Sequence, residues 1–228
     1  MRRSLFTSAL VAVLGFSSSL GLADSIKYMG QISFQSDLQA PANVDLPSFD
    51  TQGGALTLIS VQVETFHSGA AEPAGDNDDP FQGARASARI IRSWTSTGPG
   101  VFAFGNRTVN SPFVDLTADN GDLAAFDATP PDGVDFGVLG YGPELANTTN
   151  PAPGLYATPG PGTVSFTVTP TLMVNDTQFE DPPGTPDSWQ LEVENPDLTV
   201  KVSVTYTWIP EPATLSLLAL GALALRRR

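Results

Sequence analysis

The sequence predicts an all-β fold, an antiparallel β-sandwich of the jelly-roll or Ig-like kind, with an N-terminal signal peptide and a short C-terminal hydrophobic helix added to it. Three observations lead there. Apolar and polar residues alternate with a period of two in several runs, the mark of strands with one buried face. Gly and Pro, 21 and 20 of the 228 residues, gather between those runs, where turns need them. No stretch between residues 24 and 209 carries a 3.6-residue apolar period over three turns, so helices do not interleave with the strands.

The first 23 residues begin Met1-Arg2-Arg3, continue with an apolar run from Leu5 to Leu20 and end Gly21-Leu22-Ala23. A basic start, an apolar stretch and small residues before a cut make a secretory signal peptide, with cleavage between Ala23 and Asp24. Ser17, Ser18, Ser19 and Gly21 argue against a spanning anchor, and Arg2-Arg3 is an incomplete twin-arginine motif.

The mature chain opens on a strand in which Ile26, Tyr28, Ile32 and Phe34 alternate. Leu56 and Leu58 are followed by Ile59, Val61 and Val63, so the apolar phase slips by one and implies a β-bulge or burial on both faces. Residues 84–94 and 133–139 are further strands, Thr163 to Thr169 alternates again, and residues 189–193 form a short strand. Leu198, Val200, Val202, Val204, Tyr206 and Trp208 occupy one face of the longest run, with Thr199, Lys201, Ser203, Thr205 and Thr207 on the other. Turns are expected at Gly53-Gly54, Gly98-Pro99-Gly100, Pro130 to Gly133, Pro159 to Gly162 and Asp181 to Gly184. Residues 147–162, poor in large apolar side chains, read as a long loop. There is no internal repeat.

At the C-terminus, Pro210-Glu211-Pro212 precedes an apolar segment, residues 213–225, and then Arg226, Arg227 and Arg228. As a helix that segment would span about 20 Å, short of a ~30 Å hydrocarbon core. The arginines would resist translocation and keep the end on the cytoplasmic side. The two prolines stiffen an extended segment just outside the membrane. In this order, at the end of the chain and behind a signal peptide, the three parts resemble the PEP-CTERM sorting signal of Gram-negative bacteria that make exopolysaccharide. The resemblance implies recognition by exosortase, a membrane protease-transpeptidase. Pro210, Glu211 and Pro212 would then be the recognition element, residues 213–225 the membrane hold and Arg226, Arg227 and Arg228 the retention charge. The alternative is a plain C-terminal membrane anchor that is never cut.

Three domains follow: signal peptide 1–23, exported β-domain 24–209 and sorting signal 210–228. The whole chain carries −13, from 11 basic and 24 acidic residues, but both tags are basic, so residues 24–209 hold six basic and 23 acidic residues, net −17. Such a charge excludes nucleic-acid binding in the absence of a basic patch. With no Cys and one His, a disulfide framework, a thiolate zinc site, a cysteine nucleophile and a His-rich metal centre are all excluded. A domain of this length buries enough surface to fold without disulfides.

Within it, Asp45-Leu46-Pro47-Ser48-Phe49-Asp50, Gly54 to Val63, Gly162 to Thr169 and Val200 to Trp208 are similar to successive strands of the choice-of-anchor E domain. Members share a β-rich exported domain and differ in their C-terminal attachment signals. The resemblance implies no activity, and residues 70–160 take no part in it.

Candidate chemistry is sparse. His67, before Ser68-Gly69, is expected at a strand end as a surface histidine in a turn, and no Gly-x-Ser-x-Gly elbow supplies it with a nucleophile. Paired carboxylates for glycoside hydrolysis depend on a ~5–9 Å tertiary spacing. With 23 carboxylates present, sequence has almost no power to select such a pair. Asp76-Asn77-Asp78-Asp79 and Asp119-Asn120-Gly121-Asp122 place hard oxygens together. That motivates a structural calcium ion, although neither has EF-hand spacing and solvated acidic turns use the same residues. Loss of stability on chelation would separate the two. Arg85 and Arg89 should share a strand face with Arg92 opposite, pairing with carboxylates rather than forming a patch for an acidic polysaccharide.

The sequence thus describes an exported, non-enzymatic surface or matrix protein with no catalytic residues, metal or cofactor. Its partners would be the secretion machinery, a membrane exosortase and, through the resemblance, exopolysaccharide. A surface-displayed carbohydrate-binding or glycoside-cleaving β-sandwich is the alternative.

Overall fold

The structure, a computed structural model, describes residues 23–121 and 125–211. The body of the signal peptide, Pro212, the apolar tail and Arg226, Arg227 and Arg228 lie outside the described residues. The chain is all-β, in antiparallel sheets with a curled half-barrel. Its strands are β1 (Asp24–Phe34), β2 (Ala42–Pro47), β3 (Phe49–Asp50), β4 (Leu56–Asp76), β5 (Ala84–Gly98), β6 (Val101–Asn110), β7 (Val114–Leu116), β8 (Gly133–Asp135), β9 (Leu139–Thr149), β10 (Ala157–Thr158), β11 (Thr163–Phe179) and β12 (Gln190–Pro210).

One five-stranded sheet has the order β1-β12-β4-β8, with β9 also on β4. A second has the order β2-β11-β5-β6, with β7 also on β5. A two-stranded parallel pair, β3 with β10, is separate from both. The shared core comes from the inward faces of both sheets. Leu198, Val200, Val202, Val204 and Tyr206 of β12 meet Val164, Phe166 and Val168 of β11 and Trp94 of β5 in one cluster. The alternation read from the sequence is what makes this possible, since every second side chain of β12 from Leu198 to Tyr206 is fully buried.

The predicted bulge is present. Thr207 pairs with Ser60 and Trp208 with Leu58, so Ile59 is the extra residue where the apolar phase slips. All five expected turns fall between strands or at their ends.

Other expectations need correction. Residues 189–193 and 198–208 are not separate strands. β12 runs through both, bulging between Glu194 and Asp197, where Asn195 takes a left-handed φ of 48°. Asn tolerates that conformation, and a bulge is where a strand can hold Pro196 without its missing N–H. Residues 133–139 divide into β8 and the start of β9. Nor are residues 147–162 a bare loop. β9 extends to Thr149 and β10 pairs with β3, because Tyr156 is driven into the core. Its ring lies 6.2 Å from Tyr206 and 6.5 Å from Phe166, and its hydroxyl donates to the Pro99 carbonyl at 2.9 Å.

Candidate functional site

The candidate sorting element begins on β12 itself. Trp208 is the last β12 residue with partners on both sides, Asp24 of β1 and Leu58 of β4. Beyond it, among the described residues, β12 is flanked by β4 alone. Ile209 lies opposite Thr57 and Pro210 opposite Leu56, a one-sided position that suits a residue with no N–H. The Glu211 amide then donates to the Ala55 carbonyl at 2.9 Å, and the Thr57 hydroxyl donates to the Glu211 carboxylate. Upstream, Trp208 is anchored against Phe49, ring centroids 5.4 Å apart. Pro210 and Glu211 are therefore continuous with the folded sheet, with no linker before them.

The opposite junction lies beside this one. Ala23 is exposed, Asp24 is the first residue of β1, and the Asp24–Trp208 pairing puts the expected signal-peptide cut next to the start of the sorting element.

His67 is not a surface residue at a turn. β4 continues nine residues past it, and the imidazole is buried. Its Nδ1 lies 3.0 Å from the Tyr141 hydroxyl, and its ring stacks edge-on against Tyr141 and Trp94. Burial pushes its pKa below the ordinary value; the Glu144 charge opposes that shift and Arg107 adds to it. Burial likewise pushes Tyr141 up to about 12. Ser68-Gly69 misled because Gly69 serves a close approach. A Cβ there would stand 2.9 Å from Arg92 Cγ and from Tyr141 Cε1.

Arg85 and Arg89 do pair with carboxylates, Arg85 with Glu180 at 3.0 Å and Asp115 at 3.5 Å, Arg89 with Asp176. Arg92 departs from the expectation. Fully buried, its guanidinium donates to the carbonyls of Asp197, Ile91, Val174 and Ala70 and to Asn175 Oδ1, at 2.9–3.0 Å. An inward position on β5 facing β4 and β12 offers it backbone oxygens and no carboxylate partner.

The acidic stretches come together, the first buried and the second, at Asn120 and Gly121, exposed. Asp76, Asn77, Asp78 and Asp79 are all buried, as is Asp132. The Asp119 amide donates to the Asp79 carbonyl, and Asn120 donates through N and Nδ2 to the Asp132 carboxylate. Asp79 accepts from the amides of Phe81, Gln82 and Asp187, which hold its pKa below the usual range. Asp76 is pushed up, first by burial and then by the charges of Asp78, Asp132 and Asp127, against the amide of Asp127. Asp78 Oδ2 accepts from Gln190 Nε2 at 2.6 Å, and its Oδ1 is buried without a hydrogen-bond partner. Among the described residues no three acidic or histidine side chains form a group that could hold a metal ion; Asp122 lies outside them.

A groove of about 260 Å³ crosses the outer face of the first sheet, lined by Glu72, Ala74, Phe126, Asp135, Glu192 and Glu194. Glu72 and Glu194 are direct cross-strand partners. Sequence could not single them out among 23 carboxylates. Ala55, Thr57, Tyr141 and Asp132 were also illegible as site residues, since each acts only through a partner that the fold brings to it.

Among the described residues no helix is long and apolar enough to cross a membrane. Residues 209–228 match the PEP-CTERM protein-sorting motif. That motif marks an exported protein whose C-terminus is processed at the membrane by an exosortase. No curated protein matches the chain.

Proposed function

We propose that the chain is a non-enzymatic surface or extracellular-matrix protein. Its signal peptide is removed between Ala23 and Asp24, and its C-terminus is cut at or near Pro210-Glu211-Pro212. The match over residues 209–228 carries this proposal. The start of β1 at Asp24 and the placement of Pro210 and Glu211 where β12 ends support it. Residues 213–225 hold the precursor in the membrane, and Arg226, Arg227 and Arg228 keep its end on the cytoplasmic side. The two curled sheets act as a sandwich of the choice-of-anchor E kind, displayed on the outer surface or held in exopolysaccharide. The chain is the substrate of the sorting reaction, and the chemistry belongs to the sorting enzyme. Intact-mass analysis of the protein from its native host tests this, with a mature N-terminus at Asp24 and loss of Arg228 expected. A C-terminus still at Arg228 rejects the processing.

The acidic groove favours a second function, glycoside cleavage by paired carboxylates. Glu72→Gln and Glu194→Gln variants, assayed on polysaccharide from the host, would separate the two. Turnover in the wild type that either change abolishes would establish an enzyme.

A further inference from the structure

We infer that the folded β-domain itself restrains Pro210 and Glu211 of the sorting tripeptide, so that processing requires the last rungs between β12 and β4 to open. The inference rests on the processing proposed above. An extended substrate must offer its backbone to a protease. Here the Glu211 amide is already spent on the Ala55 carbonyl, and the Glu211 carboxylate, the only charge in the tripeptide, accepts the Thr57 hydroxyl. The amide has no second proton to offer while its bond lasts, and one carboxylate oxygen is held toward β4. The hold is local and shallow. Among the described residues β1 pairs no further than Trp208, so 209–211 have a strand neighbour on the β4 side alone, and Glu211 is exposed to solvent. Such terminal rungs open at a far smaller free-energy cost than the domain as a whole. Trp208, packed on Phe49, fixes where the opening stops. Thr57 and Ala55 are thus positioning residues for the tripeptide, set 154 residues before it in sequence for Thr57, and unfolding of the core is not needed to release it.

The test follows the rate at which full-length precursor loses Arg228 in the native host, by pulse-chase and intact mass. Three variants are compared with wild type: Thr57→Val, which keeps the β-branched shape and drops the hydroxyl; Thr57→Ser, which keeps the hydroxyl; and a short Gly-Ser insertion between Ile209 and Pro210. Thr57→Val should be processed roughly three- to tenfold faster, the span expected when a hydrogen bond of ordinary net strength is lost at an exposed site. The insertion should be at least as fast, and Thr57→Ser should match wild type. Melting temperatures should stay together, which separates release of the rungs from general destabilisation. Equal processing rates in wild type, Thr57→Val and the insertion variant overturn this inference and leave the processing intact. Arg228 retained in every variant overturns both.

Discussion

Arg92 is the residue whose position most affects its surroundings. Its five acceptors are half-buried oxygens of β5, β11, β4 and the β12 bulge. Burial lowers its pKa, and the nearby charges of Tyr141 and Asp197 oppose the shift. Replacing it with Leu would leave several carbonyls without their donor at once, a loss of about 3 kcal/mol. For a domain of this size that means a melting temperature lower by roughly 6–12 °C. Arg92→Lys should recover little, because an ammonium lacks the planar fork that reaches acceptors on several strands. Gly69→Ala belongs to the same contact: its methyl would press on Arg92 and Tyr141, with an expected loss of about 1–3 kcal/mol by thermal melt. Neither result was legible in the sequence. A Gly after His-Ser resembles a turn until the side chains crossing it are known, and an Arg near two paired arginines resembles a third.

At the scale of elements, the long strands were the most readable feature, because a strand with one buried face writes its period into the chain. Leu198 to Trp208 did so over eleven residues, and the slip at Ile59 showed even the bulge. Readability failed where a strand stops alternating, at Asn195-Pro196 in β12 and at the small residues Gly69, Ala70 and Ala71 in β4. It failed again in the loops that meet beyond the end of β4. The carboxylates of these loops and of β4 and β12 give stability a two-signed pH dependence. Asp76 and Asp197 are raised by burial, so the folded state takes up their protons before the unfolded chain does. Their contribution therefore increases as pH falls from neutral toward the ordinary aspartate range. Asp79 and Glu64 are lowered, by backbone amides and by Lys27 respectively. Their stabilisation is complete above that range and is lost as pH falls through their folded values. Melting temperature should thus peak at mildly acidic pH, and Asp76→Asn should flatten the rise on the neutral side. A chelator should leave the melting temperature unchanged, since amides occupy the oxygens of Asp79 and Asp132 and calcium needs six to eight ligands. A fall of several degrees would assign a cation to these loops.

For the whole molecule the dominant quantity is charge. Residues 24–209 carry a net −17, and the ion pairs formed by Lys27, Arg85, Arg89 and Arg107 offset little of it. Screening should relieve the self-repulsion, so raising salt from about 0.01 M to about 0.5 M should increase the melting temperature. A fall would mean that the ion pairs outweigh the repulsion. The pairing of Asp24 with Trp208 has a consequence of a different kind. With the two ends meeting at one pole, β4 travels 21 residues away from it, about 65–70 Å of extended chain. If the tail holds the precursor in the membrane as proposed, this pole faces the lipid and the Asp76 loops point outward as the crown. On that reading, a protease added to spheroplasts that carry the precursor would meet the crown first and the Asp24–Trp208 pole last, and the order of the fragments would measure that polarity.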